Sequence, residues 1–197
     1  MCGRYTVYTE AQYEEMRGIV REAGRRLSGG GTVKTGEIFP TDLAAVMTPA
    51  GASPMVWGFP RWNGGGVVIN ARAETAAEKR MFRAAVFSRR LVVPSTGFFE
   101  WRRIDGRKQK EKYRLFLPGT PMLYMAGLYN LYRLPDGREA GRFVILTTAA
   151  NESVAPLHDR MPVILAPEEK EAWFSDGAAA GRILSRPGPA LRLEEAP

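Results

Sequence analysis

Five apolar runs crowd into 60 residues, at 90–94, 97–102, 112–117, 122–132 and 142–149, with turn chemistry rather than helical periodicity between them. Asp105-Gly106, inside the basic stretch Arg102 to Lys112, reads as a hairpin tip, and Pro135-Asp136-Gly137 as a second turn. Strands that do not alternate regularly with helices disfavour a doubly wound parallel sheet. The expected class is therefore α+β, mainly antiparallel β-sheet with peripheral helices.

The flanks supply the helices. Thr9-Glu10-Ala11-Gln12 has the pattern of a capping box, and Met16, Ile19, Val20, Ala23 and Leu27 recur at helical spacing, so the pattern predicts a helix over 10–27 that ends at Gly29-Gly30-Gly31. Short strands are expected at 33–38 and 43–48, and Val67-Val68-Ile69 reads as a buried strand running into Asn70-Ala71-Arg72. Thr75-Ala76-Ala77-Glu78 predicts a second capped helix, to about Phe87. A short helix near 151–155, a strand at 162–166 and a helix from Pro167 to Phe174 follow. Residues 1–184 read as one domain. Three prolines in 185–197 predict a loose tail.

Composition narrows the chemistry. One cysteine and one histidine argue against a zinc or iron–sulfur site, and no metal or other cofactor is expected. A single cysteine cannot form an internal disulfide, which suits a reducing cytoplasm, and neither a signal peptide nor a membrane span is visible. Residues 61–114 hold 14 Lys/Arg against 5 Asp/Glu, whereas the whole chain nets +7. A concentrated basic segment suits a polyanion such as nucleic acid. Arginine outnumbers lysine 22 to 6, however, which is also how a GC-rich genome writes ordinary surface charge.

Cys2 lies in Met1-Cys2-Gly3-Arg4-Tyr5. Removal of Met1 would give it a free α-amine beside its thiol, a 1,2-aminothiol able to condense with an aldehyde and close a thiazolidine. Both groups are partly available near neutral pH, with ordinary pKa values of ~7.7–8.0 and ~8.5. The plainer reading is a small buried hydrophobe. Glu100, between Phe99 and Trp101, could carry a raised pKa in an apolar pocket, or face solvent on an alternating strand. His158, in Leu157-His158-Asp159-Arg160-Met161-Pro162, looks loop-borne rather than core. Asn70 and Arg72 share one side of a strand, where Arg72 could grip a phosphate or pair with Glu74 on the surface. Trp57 and Trp62 could stack on unpaired bases or pack in the core.

Four motifs occur in order: Met1-Cys2-Gly3-Arg4-Tyr5, Asn70-Ala71-Arg72-Ala73-Glu74-Thr75, Pro94-Ser95-Thr96-Gly97-Phe98-Phe99-Glu100-Trp101 and His158-Asp159-Arg160-Met161-Pro162. With them the chain resembles the SOS-response-associated peptidase (SRAP) family, the abasic-site processing proteins. The resemblance implies a barrel-like core. It implies a cytoplasmic or nucleoid-associated monomer that traps the aldehyde of an abasic site in single-stranded DNA as a thiazolidine on Cys2. It also implies self-removal of Met1 as a peptidase-like step. Glu100 would assist sugar-ring opening and proton transfer around the imine, His158 would act as acid/base, and Asn70 would orient the N-terminus and the sugar. Arg4, Arg72 and Arg160 would bind phosphates, with Trp57 and Trp62 as stacking residues. Two alternatives stand beside this: an N-terminal-nucleophile amidase using Cys2 on an exogenous amide, and a non-covalent single-strand-binding module resting on charge and aromatics.

Overall fold

The structure, a computed structural model, describes residues 2–27, 31–102, 110–134 and 136–197. The chain runs β1 (Tyr5–Val7), α1 (Glu14–Arg25), β2 (Gly36–Ile38), β3 (Leu43–Thr48), β4 (Gly51–Trp57), β5 (Phe59–Pro60), β6 (Val67–Val68) and β7 (Asn70–Arg72). Then come α2 (Ala73–Ala76), α3 (Arg83–Ser88), β8 (Arg90–Ser95), β9 (Gly97–Arg102), β10 (Glu111–Phe116), β11 (Leu123–Arg133) and β12 (Glu139–Ala149). It closes with β13 (Arg160–Pro162), β14 (Ile164–Leu165), a 3-10 turn at Pro167–Glu169, α4 (Lys170–Ser175), α5 (Gly177–Ser185) and β15 (Arg192–Ala196). The class is α+β and mainly antiparallel, as expected.

Five strands close into a barrel in the order β12-β4-β3-β8-β11, because β11 and β12 also pair with each other. Closure leaves these strands no open edge. Every junction is antiparallel except β12 with β4, where Phe143 lies opposite Trp57. β8 is buried along its whole length. A strand covered on both faces reads as a continuous apolar run, which is how Leu91-Val92-Val93 reads. Trp173 of α4 is fully buried and donates its indole N–H to the Leu91 carbonyl at 2.9 Å. Beside it the buried Arg90 guanidinium donates to the carbonyls of Trp173 (2.5 Å), Val86 (2.8 Å) and Phe174 (2.9 Å), near the C-terminal ends of α3 and α4.

The second sheet runs β15-β10-β9-β1-β2 and carries the N-terminus. Tyr5 pairs with Phe98 and Thr6 with Gly97, and Phe99 donates to the Arg4 carbonyl at 2.9 Å, so residues 2–4 run along β9 towards Glu100. A Cβ on Gly97 would lie 2.9 Å from the Leu115 carbonyl, closer than strand packing allows. The sharpest departure from expectation is at the C-terminus. Residues 192–196 are not a loose tail but a strand on β10, Leu193 opposite Leu115, with Glu194 bonded to Arg114 at 2.6 Å and Leu191 buried. The prolines obscure a Leu191/Leu193 alternation that fits a sheet edge.

Other boundaries moved for local reasons. α1 begins at Glu14 rather than 10; Tyr13 first turns back on Glu10, its ring 6.1 Å from that of Tyr8, and no side chain caps the helix. The helix expected over 75–87 is two helices, interrupted where Phe82 turns inward against Phe59, 6.1 Å between ring centroids. Residues 152–157 form hydrogen-bonded turns instead of a helix. β4 was not foreseen, because Ser53-Pro54 interrupts its pattern, and neither was α5. Asp105-Gly106 and residues 29–30 lie outside the described residues.

Candidate active site

Cys2, Asn70, Glu100 and His158 reach one place from four segments. Cys2 precedes β1, Asn70 opens β7, Glu100 lies on β9, and His158 sits in the turn between β12 and β13. β7 runs parallel to β12 with Asn70 opposite Ile145, which brings the Asn70 amide to the Cys2 carbonyl at 2.8 Å. Its Oδ1 is buried with no hydrogen-bond partner among the described residues. A buried unsatisfied acceptor is costly and is common where a polar group is held for use.

The thiol of Cys2 is fully buried, its Sγ 3.7 Å from the Arg4 carbonyl. Burial, and then the negative charge of Glu100, push its pKa well above the usual thiol range. It is held as S–H. Glu100 is buried to 3 % exposure, and burial raises its carboxyl pKa; the charge of His158 opposes that shift and Asp159 adds to it. Glu100 therefore does not face solvent on an alternating strand; Gly97 to Glu100 are all buried. An open pocket of about 590 Å³ is lined by Glu100, Trp101, Arg102 and Lys110 on the hairpin side, and by Leu157, His158 and Asp159 on the other.

His158 Nδ1 accepts from the Arg160 backbone N–H at 3.0 Å and lies 2.6 Å from an Asp159 carboxylate oxygen. These partners answer to different states of the ring. Neutral Nδ1 accepts the amide and leaves the proton on Nε2; protonated Nδ1 donates to Asp159.

The arginines divide. Arg72 is exposed, and Glu74 bonds Arg160 rather than Arg72. Arg160 is forked by Glu74, Nη1 to Oε1 at 2.7 Å and Nη2 to Oε2 at 2.8 Å, while Nη2 also donates to the Thr147 carbonyl at 2.6 Å. Arg4 pairs with Glu37 at 3.1 Å and lies over the rings of Phe39 (4.3 Å) and Trp101 (5.0 Å). The tryptophans divide too. Trp62 is 94 % exposed, whereas Trp57 is fully buried, packed on Tyr5 and Phe143 and bonded to the Ile69 carbonyl at 3.0 Å. Trp57 is a core residue, and the expectation that it stacks on bases is corrected.

Two contributors were missed. Glu37 binds both Arg4 and Lys112, the latter at 2.6 Å, and Glu74 holds Arg160. None of these three pairings leaves a local signal, since the partners are separated by 33, 75 and 86 residues.

The match to the SOS response associated peptidase (SRAP) family runs over residues 1–194. The chain belongs to this family. Among SRAP relatives, the abasic site processing protein YoqW of Bacillus subtilis is 32 % identical over 186 residues, 89 % of this chain and 80 % of its own length. The abasic site processing protein YedK of Escherichia coli is 36 % identical over 122 residues, 61 % of this chain and 54 % of its own. The SRAP fold is shared with a crystal structure from Bacteroides thetaiotaomicron at a TM-score of 0.79 and 24 % identity, covering 98 % of this chain and 91 % of that one. No helix among the described residues is long and apolar enough to cross a membrane.

Proposed function

We propose that this protein processes abasic sites in single-stranded DNA by capturing the lesion covalently on Cys2 after Met1 is removed. The observation that carries the reading is the convergence of Cys2, Asn70, Glu100 and His158 from four separate segments, with Asn70 bonded to the Cys2 main chain.

The electrostatics suggest an order of events. The thiol is held protonated by burial and by Glu100, so the freed α-amine attacks first. Asn70 donates to the Cys2 carbonyl, and its unsatisfied Oδ1 orients the amine. Opening the lesion's hemiacetal sugar exposes the aldehyde. The amine adds to it, and water leaves as the imine forms. Sγ then adds to the imine carbon while the thiol proton passes to the nitrogen, closing the thiazolidine with one water lost overall. Glu100, its pKa raised by burial, holds a proton nearer neutrality than an ordinary carboxyl and relays it through these steps. His158 serves as the second acid/base on the pocket's opposite wall. Arg72 takes a backbone phosphate, Arg4 and Arg160 support the strand beside it, and Trp62 offers a face to an unpaired base.

The test is a denaturing gel of the Met1-free protein with a single-stranded oligonucleotide carrying one abasic site, beside an intact strand. A heat-stable adduct on the abasic strand alone, absent in Cys2→Ala, is expected. The same adduct in Cys2→Ala, or turnover of a small amide instead, would move the assignment to another chemistry.

A further inference from the structure

The Glu74–Arg160 bridge joins segments on opposite sides of β12. β7, which leads into α2 and Glu74, pairs with one side of β12, and β13, which begins at Arg160, pairs with the other. The Arg160 side chain passes the end of β12, donating to the Thr147 carbonyl at 2.6 Å before its fork meets Glu74. Its side chain is 12 % exposed against 47 % for Glu74, so the bridge is partly sheltered and bidentate, the stronger kind of ion pair. The pairing also holds the Glu74 carboxyl below the usual carboxylate range. The same Arg160 gives its backbone N–H to His158 Nδ1 at 3.0 Å.

We propose that Glu74 is a positioning residue: by clamping Arg160 it keeps the Arg160 amide on His158 Nδ1, and so fixes the ring's proton on Nε2. This rests on the reading of His158 as an acid/base of the site. The competing partner, the Asp159 carboxylate, already lies 2.6 Å from the same nitrogen with the clamp in place and favours a proton on Nδ1, so the Arg160 amide is what opposes it. Among the described residues, the other charged groups lining the pocket are Glu100, Arg102 and Lys110, and none of them is touched by loss of the clamp.

His158 is the one histidine of the sequence, so an untagged protein gives a single imidazole in a nitrogen-15 NMR spectrum. With the ring neutral, wild type should show the Nε2–H tautomer. Glu74→Gln should shift the population towards Nδ1–H, and slow adduct formation on the abasic strand by on the order of tenfold, the scale of a small misplacement of a reacting group. Affinity for an intact strand should stay within about twofold. Glu74→Asp, which keeps the charge, should recover part of both effects, and it decides the matter if Glu74→Gln gives the spectrum of an unfolded chain. An unchanged tautomer in the folded variants overturns the proposal. The tautomer shift is read without DNA, so it stands or falls separately from covalent capture.

Discussion

Trp57 and Trp62 are five residues apart and belong to different parts of the molecule. Trp57 ends β4 inside the barrel, edge-on to Tyr5 and stacked on Phe143. Gly58, at φ +116° and with Val67 2.8 Å from where a Cβ would lie, turns the chain away, and Trp62 emerges into solvent. The floor of the site shares the character of Trp57: Cys2 and Glu100 are buried, and Asn70 is hydrogen-bonded into place. Arg72, exposed like Trp62, shares the character of the second. In the proposed reaction the groups to be aligned with a reacting carbon are the buried, bonded ones, and the groups to meet a pliable strand of DNA are the exposed ones.

Substitutions on the two sides should separate stability from capture. Glu100→Gln has the largest expected effect, a loss of about 10²–10⁴-fold in adduct formation rate, read by quenched denaturing gels, with initial affinity nearly intact. An equal loss of affinity would make Glu100 a structural residue. The same variant alters pH dependence. The folded pKa of Glu100 is raised, so folding takes up a proton there, and stability falls as pH rises from the ordinary carboxyl value through the folded one. Thermal melts across that range should show this slope in wild type and lose it in Glu100→Gln. Trp57→Ala should cost about 3–5 kcal/mol of stability in denaturant titrations, as large core truncations do. Trp62→Ala should leave stability within about 0.5 kcal/mol but weaken single-strand binding by about 1–3 kcal/mol. If the two tryptophans behave alike, the division between buried and exposed groups fails. The smallest effect is expected for Arg72→Ala, which should lower the salt slope of binding by about one.

What was legible in the sequence follows the same division. Cys2, Asn70, Glu100 and His158 stand in local motifs, and the antiparallel core from 90 to 149 stands in contiguous apolar runs and turns. The barrel-like core came from the family resemblance and not from the strand pattern, because the parallel pairing of Phe143 with Trp57 joins strands distant in the chain and β4 carries Pro54 within it. Trp57 could not be told from Trp62, since a tryptophan beside glycine and proline suits either fate until the turn at Gly58 is known. Glu37 and Glu74 were invisible as partners because their arginines arrive by tertiary packing. The strand 192–196 was hidden by prolines at 187 and 189, and it takes its place through pairing with β10.

The most direct measurement is the intact mass of the adduct, taken before and after borohydride reduction and thiol alkylation. An imine and a thiazolidine both form with loss of one water, so mass alone does not separate them. Ring closure through Cys2 predicts an adduct lacking Met1, lighter by one water than its components, unchanged by borohydride and closed to alkylation. An adduct that gains two hydrogens on reduction, or that still alkylates at Cys2, would show that the buried thiol takes no part.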